Sequence, residues 1–151
     1  MHTVLVARET GPTADTARNA LSRLRKAAKL SLRELAAEMP AGPGQLSHSA
    51  IGEVERGVRR LDLDELTALA ATLRVSPITF FLSDPAESRP DALVALTGLT
   101  ETLPESAALL WLQGRAPVDP KEAADDWAAE GFRRRSLPGW ALPEKGKPDG
   151  A

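Results

Sequence analysis

Two four-residue runs constrain this chain more than any other feature: Ser31-Leu32-Arg33-Glu34 and Asp62-Leu63-Asp64-Glu65. Each sets an oxygen-bearing side chain three residues ahead of a glutamate. The first side chain can accept from the third helical N–H, while the glutamate reaches back to the N–H of the first residue. Each run therefore starts a helix, and starts this close together leave room only for short ones. Leu32, Leu35, Ala36 and Met39 follow the first run at helical spacing and predict a helix over 32–39, ended by Pro40. Leu66, Leu69, Ala70 and Leu73 follow the second and predict a helix over 63–73.

The neighbouring segments read the same way. Ala17, Ala20, Leu21, Leu24 and Ala28 share one face and predict a helix over 14–28, after a Gly11-Pro12 breaker. Ser47 or Ser49 caps a helix over 48–56, with Ile51 and Val54 facing inward and Gly57 as its left-handed stop. Ser76-Pro77 is a cap followed by proline at the first helical position, opening a helix over 77–82 with Ile78, Phe81 and Leu82 inward. Five helices and no strand are expected within 18–82. Further on, weaker patterns predict helices over 91–100, 104–113 and 120–132, the last from Asp119-Pro120-Lys121-Glu122.

Composition supports an all-α fold. Hydrophobic residues make up 42% and charged residues 26%, so the chain is not wholly disordered. Aromatics are only 4%, without tyrosine, so the core is mostly aliphatic, and its Ala and Leu favour helices over a β-sandwich. The absence of cysteine excludes a disulfide, a thiolate zinc site and a cysteine nucleophile. His2 and His48 are the only histidines, so no metal site is expected. The apolar run Thr3–Ala7 is too short for a signal-peptide core or a membrane span, so a cytoplasmic protein is expected. Residues 14–82 carry 10 basic and 8 acidic side chains, residues 83–151 carry 8 and 12. A mildly basic first part is compatible with a nucleic-acid partner.

Three runs carry a resemblance. They are Leu24-Arg25 with Leu30-Ser31-Leu32-Arg33-Glu34-Leu35-Ala36; Ser47 to Gly57, including Ile51 and Glu55; and Leu66, Leu69-Ala70, Leu73, Val75-Ser76-Pro77 and Phe81-Leu82. In this order, over residues 18–82, the chain resembles the phage repressor/Cro-type (XRE) helix-turn-helix family. The resemblance implies a five-helix repressor-like domain that binds double-stranded DNA as a homodimer and regulates transcription. Pro40 to Gln45 makes the turn between the second and third helices longer than the family's usual tight turn. Longer turns of this kind, with an Ala-, Arg- and Leu-rich composition, look like actinobacterial-type members. A surface loop is the preferred reading of the insertion, because added loop residues cost little closure entropy; the other reading is that it re-aims the recognition helix or touches the DNA backbone.

The organisation that follows is a flexible N-terminus at 1–13, a helix-turn-helix domain at 14–83, a linker at 84–90, an accessory helical region at 91–135 and a disordered tail at 136–151. The resemblance implies that the third helix enters the major groove, so Ser47, His48, Ser49 and Glu53 are candidate base contacts. Gly52 is read on the same face, leaving room for a thymine methyl. Ser47 and Ser49 are also cap candidates, and His48 equally reads as a solvated side chain. Ser31, Arg33, Arg56, Arg59 and Arg60 are candidate phosphate contacts, although Arg56, Arg59 and Arg60 also suit a helix C-terminus. Arg25 and Glu55 are assigned, by the resemblance, to a structural ion pair between the first and third helices. Trp111, Trp127 and Trp140 read either as a small satellite core or as a dimer or partner surface. Arg133-Arg134-Arg135 reads first as helix-end charge and second as another DNA contact. No phosphate-binding glycine motif or triad is present, so neither an enzyme nor a cofactor is expected. The alternative to a DNA-binding regulator is an antitoxin or adaptor that uses the same scaffold to bind protein.

Overall fold

The computed structural model describes residues 9–143. Several of its helices begin where side chains satisfy the first free N–H groups. Ser31 Oγ accepts from Glu34 N at 3.1 Å and Glu34 Oε2 accepts from Ser31 N at 2.7 Å, opening α2 (Leu32–Glu38). Asp62 Oδ1 accepts from Glu65 N at 2.8 Å and Glu65 Oε2 from Asp62 N at 3.0 Å, opening α4 (Leu63–Leu73). Ser47 Oγ accepts from Ala50 N at 3.1 Å and opens α3 (His48–Glu55), which stops at Gly57 with φ +77°. Because the Ser31 hydroxyl oxygen satisfies the Glu34 N–H at the helix end, Ser31→Ala should lower stability by about 0.5–2 kcal/mol, read as a shift of the denaturant midpoint. A midpoint unchanged by the substitution would contradict the cap's role.

Two helical expectations are corrected in this half. The first helix, α1, spans Pro12–Ala27. Gly11-Pro12 is not a breaker: Gly11 is the N-cap and Pro12 takes the first helical position, where its missing N–H costs nothing. The fifth helix is a 3₁₀ helix, Pro77–Phe81, in which Phe80 is the fully buried side chain while Ile78, Phe81 and Leu82 are half-buried. In so short a segment the tighter i→i+3 turn takes over, and it rotates Phe80 inward.

The chain divides into two compact units. The first comprises residues up to Ser88 together with Ala95–Thr102. Its core joins Ala20 and Leu21 of α1, Leu35 of α2, Ile51 and Val54 of α3, Leu69 and Ala70 of α4, and Phe80. Met39 and Leu46, at either end of the α2–α3 connection, complete it. At the start of α1, Thr13 and Thr97 bond reciprocally: Thr13 N donates to Thr97 Oγ1 at 3.2 Å and Thr97 N to Thr13 Oγ1 at 2.8 Å. A Cβ on Gly11 would collide with the Thr97 side chain.

The second unit comprises Arg89–Val94 and the chain from Leu103 onward. Strands β1 (Leu93–Val94) and β2 (Leu103–Pro104) pair antiparallel, with Val94 opposite Leu103. The helix expected over 91–100 is therefore absent; Gly98, with φ +93°, lies in the turns between the strands. Helices α5 (Glu105–Leu112), α6 (Pro120–Ala124) and α7 (Asp126–Ser136) follow. The single helix expected over 120–132 is split, because Asp125 is extended and caps a new helix by accepting from Ala128 N at 3.0 Å. Leu103, Ala108 and Ala129 are buried. Trp111 is half-buried, whereas Trp127 and Trp140 are 87% and 88% exposed, so these two are no part of a satellite core. A 3₁₀ turn, Gly139–Ala141, lies in the segment read as a disordered tail. The expectations for residues 1–8 and 144–151 lie outside the described residues.

Candidate nucleic-acid interface

α3 has two faces of different character. Ile51, Gly52 and Val54 are buried, and His48, Ser49 and Glu53 are exposed. From behind, Glu55 ties the helix to α1. Arg25 Nε donates to Glu55 Oε1 at 2.6 Å and Arg25 Nη2 to Glu55 Oε2 at 3.0 Å, while Arg25 Nη1 donates to Leu30 O at 2.8 Å. The two side chains are only 13% and 12% exposed. Hydrogen bonding to the Glu55 carboxylate is the main cause that holds the Arg25 guanidinium above its ordinary pKa. One pair thus joins α1, the loop after it and α3.

Gly52 does not share the outward strip. A Cβ there would stand 3.3 Å from Leu32 Cδ1 and 3.1 Å from Arg56 Nη1. Leu32 of α2 therefore packs against α3 at Gly52, and the Arg56 guanidinium lies beside the same position. The reading of Gly52 as space for a thymine methyl is corrected accordingly: the missing side chain admits Leu32, a neighbour within the fold.

The cations divide into two groups. Arg33 and Arg56 are exposed and have no ion-pair partner among the described residues. Arg59 is otherwise engaged. Its Nη2 donates to Glu65 Oε1 at 2.6 Å, and its Nη1 donates to Glu65 Oε2 at 2.9 Å and to Arg60 O at 3.1 Å. Glu65 is 6% exposed. Its pKa is lowered chiefly by the hydrogen bonds from Arg59, and Arg59 is raised chiefly by the same contact. The sequence shows Glu65 as a cap residue but carries no signal that Arg59, six positions earlier, closes on it. Arg60 is exposed and donates from Nη2 to Glu9 O.

Part of the first turn of α2 is engaged as well. The N–H groups of Ser31 and Glu34 are used within the capping box. The Glu34 carboxyl is held below its usual range, first by the Ser31 backbone N–H and then by the Ser31 hydroxyl. A negative carboxylate is thus bonded to Ser31 at the start of α2. In the second unit, Arg133 and Arg134 bond to Glu130 at 3.2 and 2.7 Å and lower its pKa, in that order of weight.

No helix among the described residues is long and apolar enough to cross a membrane. No curated protein and no solved structure matches the chain. A family model described as helix-turn-helix matches residues 21–80, the segment from α1 to the Pro77–Phe81 turn. Residues 21–80 thus match a helix-turn-helix domain of the XRE type, a DNA-binding domain family, with α2 and α3 as the helix-turn-helix pair.

Proposed function

We propose that the protein is a sequence-specific regulator of transcription that reads the major groove with the exposed face of α3. The observation that carries this reading is the two-sided character of that helix. Its inner side is fixed by Ile51, Val54 and the Arg25–Glu55 pair, and its outer side offers His48, Ser49 and Glu53 to solvent. A recognition helix needs this combination, because base readout requires side chains held at fixed positions. His48 can donate to guanine N7 or O6, Ser49 can pair with several bases, and Glu53 can accept from cytosine N4. Ser47 joins them with its hydroxyl oxygen already used as a cap.

Arg33 and Arg56 flank the α2–α3 junction and are the leading phosphate contacts, with Arg60 beside them. Arg59 belongs to the fold, through Glu65. Exposed Val58 and Leu63, just beyond α3, support self-association and hence two-fold related half-sites about one DNA turn apart. The exposed Trp127 and Trp140 support a further protein contact. A DNA partner also supports a cytoplasmic working site.

The test is binding to duplex DNA over a range of salt. Log affinity should fall linearly with log salt, and Arg56→Ala should reduce the slope by about one unit on every duplex. His48→Ala and Ser49→Ala should instead change which sequences a random pool yields. No binding to any duplex at low salt would overturn the reading in favour of a protein-binding adaptor.

A further inference from the structure

We infer that the lengthened α2–α3 turn is a base-reading element and that the side-chain amide of Gln45 is the group that reads. This rests on α3 being the helix that enters the groove. The turn is anchored at several points. Met39 and Leu46, at its two ends, are buried in the core. Between them, Gly44 has φ +82° and lies so close to α4 that a Cβ would stand 2.6 Å from Asp64 O and 3.1 Å from Ala68 Cβ. Only glycine allows both that backbone angle and that approach. Gln45 N donates to Gly42 O at 3.2 Å. The backbone on both sides of Gln45 is therefore pinned, by Gly44 against α4 and by Leu46 in the core.

The direction of the side chain follows from its neighbours. Ser47, the cap of α3, is extended at φ −70° and ψ 160°. Leu46 is buried, and Gln45 and Ser47 on either side of it are both exposed. The Gln45 amide has no partner among the described residues. It thus stands free, two residues ahead of the helix end that enters the groove.

The chemistry complements that of α3. His48, Ser49 and Glu53 include no bidentate reader of adenine. A glutamine amide offers one donor and one acceptor, which pair with adenine N7 and N6 in the major groove. Carried on a pinned backbone, such an amide loses little freedom on binding and discriminates by position as well as by hydrogen bonding.

The experiment is selection of bound duplexes from a random pool with the full chain, beside Gln45→Ala and Gln45→Glu, with melting temperatures recorded for all three. The expected result is an adenine preference at one base pair that falls roughly 5- to 150-fold in Gln45→Ala, with other positions and the melting temperature unchanged. Gln45→Glu should move that preference toward cytosine, whose N4 donates to a carboxylate. Identical selected sequences for Gln45→Ala and the parent chain would overturn the inference. An affinity loss equal on all duplexes would also overturn it, marking a phosphate contact. If the parent chain selects no sequence at all, the reading of α3 fails first and the inference falls with it. That outcome is distinguishable, because it appears before any variant is compared.

Discussion

Glu55→Ala should destabilise the first unit by about 3–5 kcal/mol. The carboxylate takes two hydrogen bonds from Arg25, and both side chains are largely withdrawn from solvent. Removing one partner leaves a guanidinium in a low-dielectric position with no opposing charge, which costs more than the pair itself contributes. An exposed pair would cost no more than about 1 kcal/mol, so the magnitude tests the burial directly. For a unit of this size the melting temperature should fall by about 4–8 °C per kcal/mol. An unchanged melting temperature would refute the assignment. Glu55→Gln, which keeps shape and one acceptor, should fall between the two. DNA binding should be lost in step with folding, because the pair positions α3 without reaching its outer face.

The second large effect concerns Glu65. Glu65→Ala should cost about 2–3 kcal/mol, since it removes two charge-assisted bonds from Arg59 and the return bond to Asp62 N. The partial exposure of Arg59, 35% for its side chain, keeps this below the figure for Glu55. A pH dependence accompanies it. Folding lowers the pKa of this carboxyl, so its stabilisation is complete above the unfolded value, about 4.3. It is lost as pH falls through the lower folded value. The stability gap between the parent chain and Glu65→Gln should be widest near neutral pH and close below about pH 4. A gap that stays constant down to pH 3 would remove Glu65 from that role. Arg59→Ala separates the two readings of that arginine, because a scaffold residue destabilises the free protein and a phosphate contact does not.

How much was legible depended on whether the signal was local. α2 and α4 start where their capping boxes put them, since both partners of each box lie within four residues. The same holds for the Gly57 stop. Gly11-Pro12 is ambiguous locally, because proline ends a helix from inside but opens one from its first position. Phe80 escapes a 3.6-residue period because its segment is a 3₁₀ turn. The remaining errors are tertiary. Nothing near Gly52 shows that Leu32 will lie against it, nothing near Gly44 shows Asp64, and Arg59 meets Glu65 only once the loop after α3 folds back onto α4. At the candidate interface, the sequence therefore located the exposed strip of α3 but could not sort its cations into free and engaged.

The reciprocal bond between Thr13 and Thr97 bears on how this protein is made. The first unit is not contiguous in sequence: its N-terminal helix is clasped by a residue that lies beyond Arg89–Val94, which belong to the other unit. During synthesis the core of α1 to α4 can assemble early, but the clasp has to wait until residues 95–102 have left the ribosome. Until then the first turn of α1 is open to fraying and to proteases. A gene fragment cut after residue 83, where the amino-acid pattern suggests a boundary, would fix the molecule in that unfinished state.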